Sequence, residues 1–121
     1  MKKIKQKRKG DHMVNVNNNN IYITRGDSAD IAISITESTG VGYTPQDGDT
    51  ITFTVKKTTN DTEAVISKTI KDGYLHLIPA DTAHLDYGAY FYDCQLTTSD
   101  GRVCTFIPVH LFKVLEEVTF Q

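Results

Sequence analysis

The tetrapeptide Arg25-Gly26-Asp27-Ser28 has the best-known binding chemistry in this sequence, because animal integrins recognise Arg-Gly-Asp on extracellular ligands. By average residue usage, however, the tripeptide occurs by chance in about 2% of chains of this length. Here it lies between two stretches that alternate apolar and polar residues. Glycine can adopt a positive φ and aspartate can accept backbone hydrogen bonds, so the string suits a turn. The sequence therefore predicts a structural turn of Arg25, Gly26 and Asp27 rather than an integrin site.

The two cysteines are the next candidates, since Cys94 and Cys104 flank the Asp100-Gly101 pair that predicts a hairpin turn. With a three-residue loop, Cys94 lies opposite Phe106. Cys104 then lies opposite Leu96, and the thiols are only diagonal neighbours. With a two-residue loop, the thiols point to opposite faces of the hairpin. We therefore expect free thiols that act as small core residues, as in a protein made in a reducing cytoplasm.

The other candidates for catalysis or metal binding lack the spacing that either chemistry requires. The side chains that could act as metal ligands are His76, His84, His110, Asp47, Asp49, Glu116 and Glu117. They form neither a zinc pattern with the cysteines nor a calcium-binding loop. The sequence also contains no nucleophile elbow and no phosphate-binding glycine loop. We expect a protein that is not an enzyme and binds no cofactor or metal, unless the fold assembles a site from distant residues.

The charge of the chain is divided unevenly between its N-terminus and its body. The 121 residues carry a formal net charge of −2, but residues 1–12 contain six of the 13 basic and one of the 15 acidic residues. That leaves 7 basic and 14 acidic residues, a net charge of −7, from Met13 onward. The basic head is either a leader left by cloning, with His12-Met13 as the join, or a disordered arm that contacts nucleic acid or anionic lipid.

We favour the leader and expect one domain at 13–121, the size of a single core. Its acidic body lacks the basic patch of a nucleic-acid binder, and its apolar runs are too short to span a membrane. We therefore expect neither nucleic acid nor a membrane among its partners.

Alternating apolar and polar residues at 31–35, 51–55 and 90–96 predict half-buried antiparallel strands. The complete set of expected strands is 20–24, 29–37, 50–58, 63–70, 73–78, 89–98 and 102–109, with an eighth at 111–119. Seven or eight short strands with frequent turns indicate an all-β fold, an antiparallel β-sandwich.

The segment 74–96, YLHLIPADTAHLDYGAYFYDCQL, resembles the tyrosine corner of immunoglobulin-like sandwiches. In that corner, which connects strands E and F, a tyrosine hydroxyl bonds back to the backbone. The resemblance assigns this role to Tyr90, with Asp86 and Gly88 in the corner, and residues 80–85 could form a single helical turn. Tyr92 falls where an antibody domain has a cysteine, and the chain contains no tryptophan. The likeness is therefore to the immunoglobulin-like architecture and not to the disulfide-bonded family.

Three stretches carry a second resemblance: NNNIYITRGDSADIAISI, GDTITFTVKK and DYGAYFYDCQLTTSDGRVCTFIP. Together they resemble the N-terminal domain of phage baseplate upper proteins and related small tail proteins of phages that infect Gram-positive bacteria. In that group an early strand enters an Arg-Gly-Asp-like turn, a β-sandwich follows, and an aromatic hairpin comes late. The resemblance implies a non-enzymatic protein of the virion, made in the bacterial cytoplasm. Its expected partners are other tail or baseplate proteins and further copies of itself.

For such a role we expect partners to add strands to the sheet edges formed by 20–24 and 111–119. The possible partner edge comprises Leu111, Phe112, Val114 and Leu115, although a last core strand is the interpretation that we prefer for this run. Two other functions stay open. One is a carbohydrate-binding or adhesin-like sandwich that uses exposed tyrosines, namely Tyr22, Tyr43, Tyr74 and Tyr87. The other is a small acidic phage inhibitor of a host system.

Overall fold

A computed structural model of the protein describes residues 3–5, 14–17, 19–37 and 39–118. Within these ranges the chain forms ten strands and one short helix, which confirms the all-β fold class. The elements are β1 (Lys3–Lys5), β2 (Val14–Asn17), β3 (Asn20–Thr24), β4 (Ala29–Thr36), β5 (Gly42–Tyr43), β6 (Thr50–Lys56), β7 (Ile66–Ile70), β8 (Tyr74–Leu77), α1 (Pro79–Ala83), β9 (Gly88–Thr97) and β10 (Val103–Leu115). No helix in this part of the chain is long and apolar enough to cross a membrane.

The strands form two sheets whose buried faces share one hydrophobic core. In the four-stranded sheet, β4 pairs antiparallel with β1, β5 and β8. The six-stranded sheet has the order β2-β3-β10-β9-β6-β7. Its one parallel pair is β3 with β10, where Ile21 lies opposite Phe112. Our expectation of antiparallel pairing throughout is wrong here, because the chain crosses to the other sheet between β3 and β4 instead of forming a hairpin.

The partner edge expected at Leu111, Phe112, Val114 and Leu115 is wrong, because these residues belong to an interior strand. β10 lies between β3 and β9, and β3 lies between β2 and β10. The backbone groups expected to receive a partner strand therefore pair within the sheet. Phe112 and Val114 are buried, as a last core strand requires. Of the described strands, β2 and β7 form the two sides of the six-stranded sheet.

β10 is one continuous strand of 13 residues where we expected two, at 102–109 and 111–119. Residue 119 lies outside the described residues. The pairing of β10 with β9 shifts register between Thr105 and Ile107 and again between Ile107 and His110. These irregularities keep the hairpin continuous through a region where the alternation of apolar residues breaks down.

The cysteines lie on the β9–β10 hairpin as free thiols, as predicted. Cys104 lies opposite Leu96, the register that a three-residue loop requires. Cys94 lies opposite Ile107 instead of Phe106, because the register shifts between these two cysteines. Burial raises the pKa of the Cys94 thiol, which keeps it protonated as a small core residue.

The interpretation of residues 1–12 as a leader or an arm stays a prediction, since most of them lie outside the described residues. Residues 3–5 form β1, which pairs with residues 32–34 of β4. Residues 14–17 form β2, which pairs with β3. The domain boundary at residue 13 likewise stays a prediction.

An aromatic cluster occupies the centre of the core. The Phe53 ring centroid lies 5.2 Å from that of Tyr92 and 6.0 Å from that of Phe112. All three side chains are buried. The Tyr92 hydroxyl donates a hydrogen bond to the Asn19 carbonyl oxygen, so its polar atom is satisfied inside the protein. Burial raises the pKa of Tyr92 and keeps this donor protonated. Tyr92 thus links β9 to the residue that precedes β3.

The turn before β6 packs closely against the β9–β10 hairpin. Gly48 has φ +88°, and a Cβ atom at this position would lie 2.6 Å from the Ser99 Cβ. Gly40 has a similar φ of +90° but no atom within 4 Å of its Cβ position. Gly48 is therefore required both for its backbone conformation and for the close approach of the two turns.

β7, at one side of the six-stranded sheet, carries a lysine on its core-facing side. Lys68 lies on the same face of the strand as the buried Ile66 and Ile70. Its ammonium donates to the Asp81 carboxylate at 2.6 Å and to the His76 carbonyl oxygen at 2.7 Å. An inward-pointing charge on an outer strand hinders pairing with another chain. β7 is therefore a poor template for a partner strand.

His76 bridges two carboxylates on the surface of the four-stranded sheet. Its Nδ1 lies 2.6 Å from Asp30 Oδ1, and its Nε2 lies 2.9 Å from Asp72 Oδ2. Asp30 lies opposite His76 in the pairing of β4 with β8. Hydrogen bonding to Asp30 and then to Asp72 raises the pKa of His76, and His76 in turn lowers the pKa of Asp72. The geometry suits a protonated imidazole that ties the two strands together.

We expect the stability conferred by His76 to fall as the pH rises from about 6 to about 8. Its folded pKa is raised, so the stabilisation is complete below the ordinary pKa of 6.5 and is lost as the pH passes the folded value. The melting temperatures of the wild type and His76→Gln should therefore differ most at the acidic end of this range. A constant difference across the range would contradict this role for His76.

Candidate functional site

The Arg-Gly-Asp string forms the turn that connects β3 to β4 across the two sheets. The Asp27 amide donates to the Thr24 carbonyl oxygen at 3.1 Å, which closes a four-residue turn. Gly26 has φ +86°, a conformation that favours glycine. The Arg25 amide donates to the Leu115 carbonyl oxygen at 3.0 Å and continues the parallel pairing of β3 with β10.

The Arg25 side chain is held by two distant parts of the chain, residues 85–87 and Glu117. Its Nε donates to Glu117 Oε1 at 2.7 Å. Its two terminal nitrogens donate to the Leu85 carbonyl oxygen at 3.2 Å and to the Tyr87 hydroxyl at 2.9 Å. The guanidinium also lies 4.3 Å from the centroid of the Tyr87 ring, within range of a cation–π contact. This arginine is therefore engaged by its own protein and is poorly presented to a receptor.

The corner between β8 and β9 lies directly against this turn. The Tyr90 hydroxyl donates to the Asp86 carbonyl oxygen at 3.0 Å, across the residues that lead into β9. Gly88 has φ +131°, within the region that favours glycine. Helix α1 lies in the corner, and its buried Thr82 accepts a hydrogen bond from the Gly26 amide at 2.8 Å. The predicted turn and the predicted corner are thus neighbours in the fold.

We call Arg25, Gly26, Thr82, Tyr87 and Glu117 the Arg25 junction. The junction joins the β3–β4 turn, the corner before β9 and the segment after β10. The sequence pattern identified the turn and the corner separately but offered no sign that they touch. Arg25 and Glu117 are 92 residues apart, and nothing local marks them as partners.

Arg25→Ala should lower the urea midpoint of unfolding, because it leaves the mostly buried carboxylate of Glu117 without its cation. Arg25→Lys keeps the charge but loses the planar fork, so it should lie between the alanine variant and the wild type. The wild type should show no adhesion that depends on integrins. Unchanged stability of Arg25→Ala, or saturable integrin binding, would contradict the structural role of this turn.

A second candidate is a groove on the outer face of the six-stranded sheet, which we call the outer groove. It has a volume of about 250 Å³ and is lined by Thr54, Lys56, Thr59, Phe91, Tyr92, Asp93, Gln95 and Val109. Asp93 lies opposite Thr54, and Lys56 lies opposite Phe91, in the pairing of β6 with β9. Burial raises the pKa of Asp93, and Lys56 partly opposes this effect. The groove therefore holds a partly desolvated carboxyl beside an aromatic ring and a cation.

Sequence reasoning missed the outer groove, although one signal for it was present. The alternation in β9 placed Phe91, Asp93 and Gln95 together on the face turned away from the core. A phenylalanine on a polar face is the feature that could have indicated a binding surface. The convergence of these side chains with Lys56 and Val109 depends on strand order, which the alternation does not reveal.

A wider cleft of about 730 Å³ opens beside β5 and the turn before β6. Its lining includes the buried residues Ile33, Ile35, Ile51 and Ile70. At its rim, the Tyr43 hydroxyl donates to Asp49 Oδ2 at 2.5 Å, and the Gln46 amide donates to the same atom at 2.8 Å. Hydrogen bonding to Asp49 raises the pKa of Tyr43. This carboxylate organises the loop, so it is a weaker candidate for ligand binding than Asp93.

The tyrosines proposed for a carbohydrate-binding face do not line the outer groove. They are Tyr22, Tyr43, Tyr74 and Tyr87. Tyr43 holds Asp49, and Tyr87 holds Arg25. Tyr74 stacks near His76, with 6.1 Å between the ring centroids. The carbohydrate-binding alternative therefore has no support from these four residues acting as a group.

Comparisons with known proteins assign no family, since no protein-family model, curated protein or solved structure matches the chain. Within the described ranges, no three His, Cys, Asp or Glu side chains are grouped closely enough to hold a metal ion.

Proposed function

We propose that this chain is a non-enzymatic structural protein of a phage or prophage tail, where it binds other tail or baseplate proteins during assembly or host attachment. The observation that carries the proposal is the Arg25 junction. In the tail-protein resemblance, an early strand enters an Arg-Gly-Asp-like turn and a sandwich follows. Here Arg25 bonds to Glu117 and Gly26 bonds to Thr82, so the turn connects elements of the sandwich. This is the structural role that the resemblance implies for the turn.

We further propose that the sandwich is immunoglobulin-like. Three features support this proposal. The Tyr90 hydroxyl bonds to the Asp86 carbonyl oxygen, as in a tyrosine corner, and a single helical turn fills the same corner. The two sheets share one core, and a late hairpin turns at Asp100-Gly101. Tyr92 packs in the aromatic cluster where the disulfide-bonded family has a cysteine.

Strand addition is not available at the two strands where the sequence predicted it, β3 and β10. β10 is interior, and Lys68 protects β7. A virion partner would therefore engage faces or loops of the sandwich more readily than these two strands.

The test is capture from prophage-induced or infected cells with the tagged full chain as bait, followed by identification of the captured proteins by mass spectrometry. We expect tail or baseplate proteins, and light scattering should show an oligomer or a stable complex with them. Tyr92→Ala, which disrupts the aromatic cluster of the core, is the control bait. A monomer that captures no virion protein, while remaining folded, would overturn the proposal.

A further inference from the structure

We propose that the outer groove binds one ring of an uncharged saccharide, with Asp93 as the main hydrogen-bond acceptor and Phe91 as the apolar platform. This site is independent of the structural role proposed above. The proposal rests on the charge, burial and size of the groove and on the hydrogen bonds around it.

Asp93 is the first reason to expect a ligand. Its carboxyl lies on the face of β9 directed away from the core and is only partly exposed. Among the described residues, no hydrogen bond or salt bridge engages this carboxyl, and Lys56 acts on it only at longer range. A partly desolvated acceptor of this kind gains most from a ligand that brings hydroxyl donors. Vicinal hydroxyls of a sugar can supply two donors to one carboxylate.

The balance of charge in the groove favours an uncharged ligand. Lys56 and Asp93 are its two charged side chains, so the local charge sums to zero. An anionic ligand would be repelled by the carboxylate of Asp93, and a cationic ligand would be repelled by the ammonium of Lys56. A ring with hydroxyls around its rim can satisfy both, because each hydroxyl is both a donor and an acceptor.

The apolar part of the groove provides a surface for the other side of such a ring. Phe91 of β9 lines the groove, and Val109 of β10, which also lines it, is 53% exposed. Sugar rings present C–H groups on their faces, and these pack well against an aromatic ring. The volume of about 250 Å³ is below the range of about 300–1,000 Å³ that is typical for drug-sized ligands, so one small ring is the appropriate size.

One polar side chain of the groove, Gln95, and the loop that carries Thr59 are oriented by hydrogen bonds. Gln95 Nε2 donates to Thr105 Oγ1 at 3.2 Å, which directs the amide oxygen of Gln95 to act as an acceptor. Thr59 lies in a loop where the Asp61 carboxylate accepts hydrogen bonds from the Thr58 amide at 3.1 Å and the Thr58 hydroxyl at 3.0 Å. A site with fixed partners loses little entropy on binding.

The experiment is an NMR titration of the ¹⁵N-labelled full chain with methyl glycosides of hexoses, 6-deoxyhexoses and N-acetylhexosamines at millimolar concentrations. We expect saturable shifts of the Phe91, Asp93 and Gln95 amides with at least one glycoside. Asp93→Ala and Phe91→Ala should each weaken that binding by about tenfold or more. Ser67→Ala, on the same sheet face but outside the groove, should leave it unchanged.

Each alternative result has a defined meaning. No saturable shift with any glycoside would overturn the proposal, as would binding that survives Phe91→Ala in a folded variant. Saturable shifts with N-acetyl-arginine amide, but with none of the glycosides, would also overturn the proposal. That result would indicate a basic peptide as the ligand. Because both substitutions leave the core untouched, the spectrum of each variant shows whether it is folded. Failure of virion capture would not affect the titration, so the two proposals can fail separately.

Discussion

Tyr92→Ala should lower the free energy of unfolding by about 3–5 kcal/mol, the usual cost of removing a large aromatic side chain from a core. Tyr92 is 1% exposed and packs against Phe53 at the centre of the sandwich. Domains of this size have a total stability of about 5–15 kcal/mol, so this loss removes a substantial part of the free energy of unfolding. Urea denaturation followed by circular dichroism measures the change.

Tyr92→Phe is the matched control, because it keeps the ring and removes only the hydroxyl that bonds to the Asn19 carbonyl oxygen. We expect a loss of about 0.5–1.5 kcal/mol, the net value of one hydrogen bond. If both variants lose the same stability, the ring does not pack as the structure shows. A phenylalanine variant as stable as the wild type would instead mean that the link to Asn19 contributes little.

Gly48→Ala is the second substitution with a large expected effect, a loss of about 2–4 kcal/mol. An alanine at positive φ costs about 1 kcal/mol or more, and forced overpacking adds about 1–3 kcal/mol. Both apply here, since φ is +88° and the new Cβ would lie 2.6 Å from the Ser99 Cβ. Thermal and urea unfolding of the variant measure the loss.

Gly40→Ala separates the two causes, because Gly40 has φ +90° and no atom within 4 Å of its Cβ position. It should lose about 1 kcal/mol, the backbone contribution alone. Ser99→Gly should restore part of the stability of Gly48→Ala by removing the clashing Cβ atom. Equal losses for the two alanine variants, with no recovery on Ser99→Gly, would contradict the close approach of these turns.

The strands that the sequence predicted best are those with one buried and one solvated face. In β4, β6 and β9 apolar and polar residues alternate, and the buried positions of all three strands alternate in the same way. β7 was predicted less well, because Lys68 occupies a position that faces the core and breaks the pattern. Its charge is compensated by Asp81, which is distant in sequence and so invisible to a local pattern.

Strand neighbours were much harder to predict than strands. We expected edges at 20–24 and 111–119, but β3 and the part of the second range that belongs to β10 lie inside the sheet. The partner of Cys94 was also predicted incorrectly. The register of the hairpin shifts between Thr105 and Ile107, and the alternation of apolar and polar residues gives no sign of this shift. Strand order and register depend on contacts between distant segments, and the residue pattern within one strand does not specify those contacts.

The candidate sites show the same division. Local rules predicted a turn at Arg25-Gly26-Asp27 from the conformational freedom of glycine, and the chain turns there. The same rules did not predict the partners of Arg25, which come from two distant segments, residues 85–87 and Glu117. The outer groove was missed for a similar reason, since it is formed by side chains from β6, β9, β10 and a loop.

The parallel pairing of β3 with β10 has a consequence for how the chain folds during synthesis. Asn20 and Leu111 are 91 residues apart, yet the side chain of one bonds to the backbone of the other. A nascent chain therefore exposes the apolar face of β3 until nearly the whole domain has left the ribosome. Contacts so distant in sequence slow folding, because the loop between them must close first. We expect β3 to be among the last strands to dock although it is made early, and chains that stop before residue 111 to be prone to aggregation.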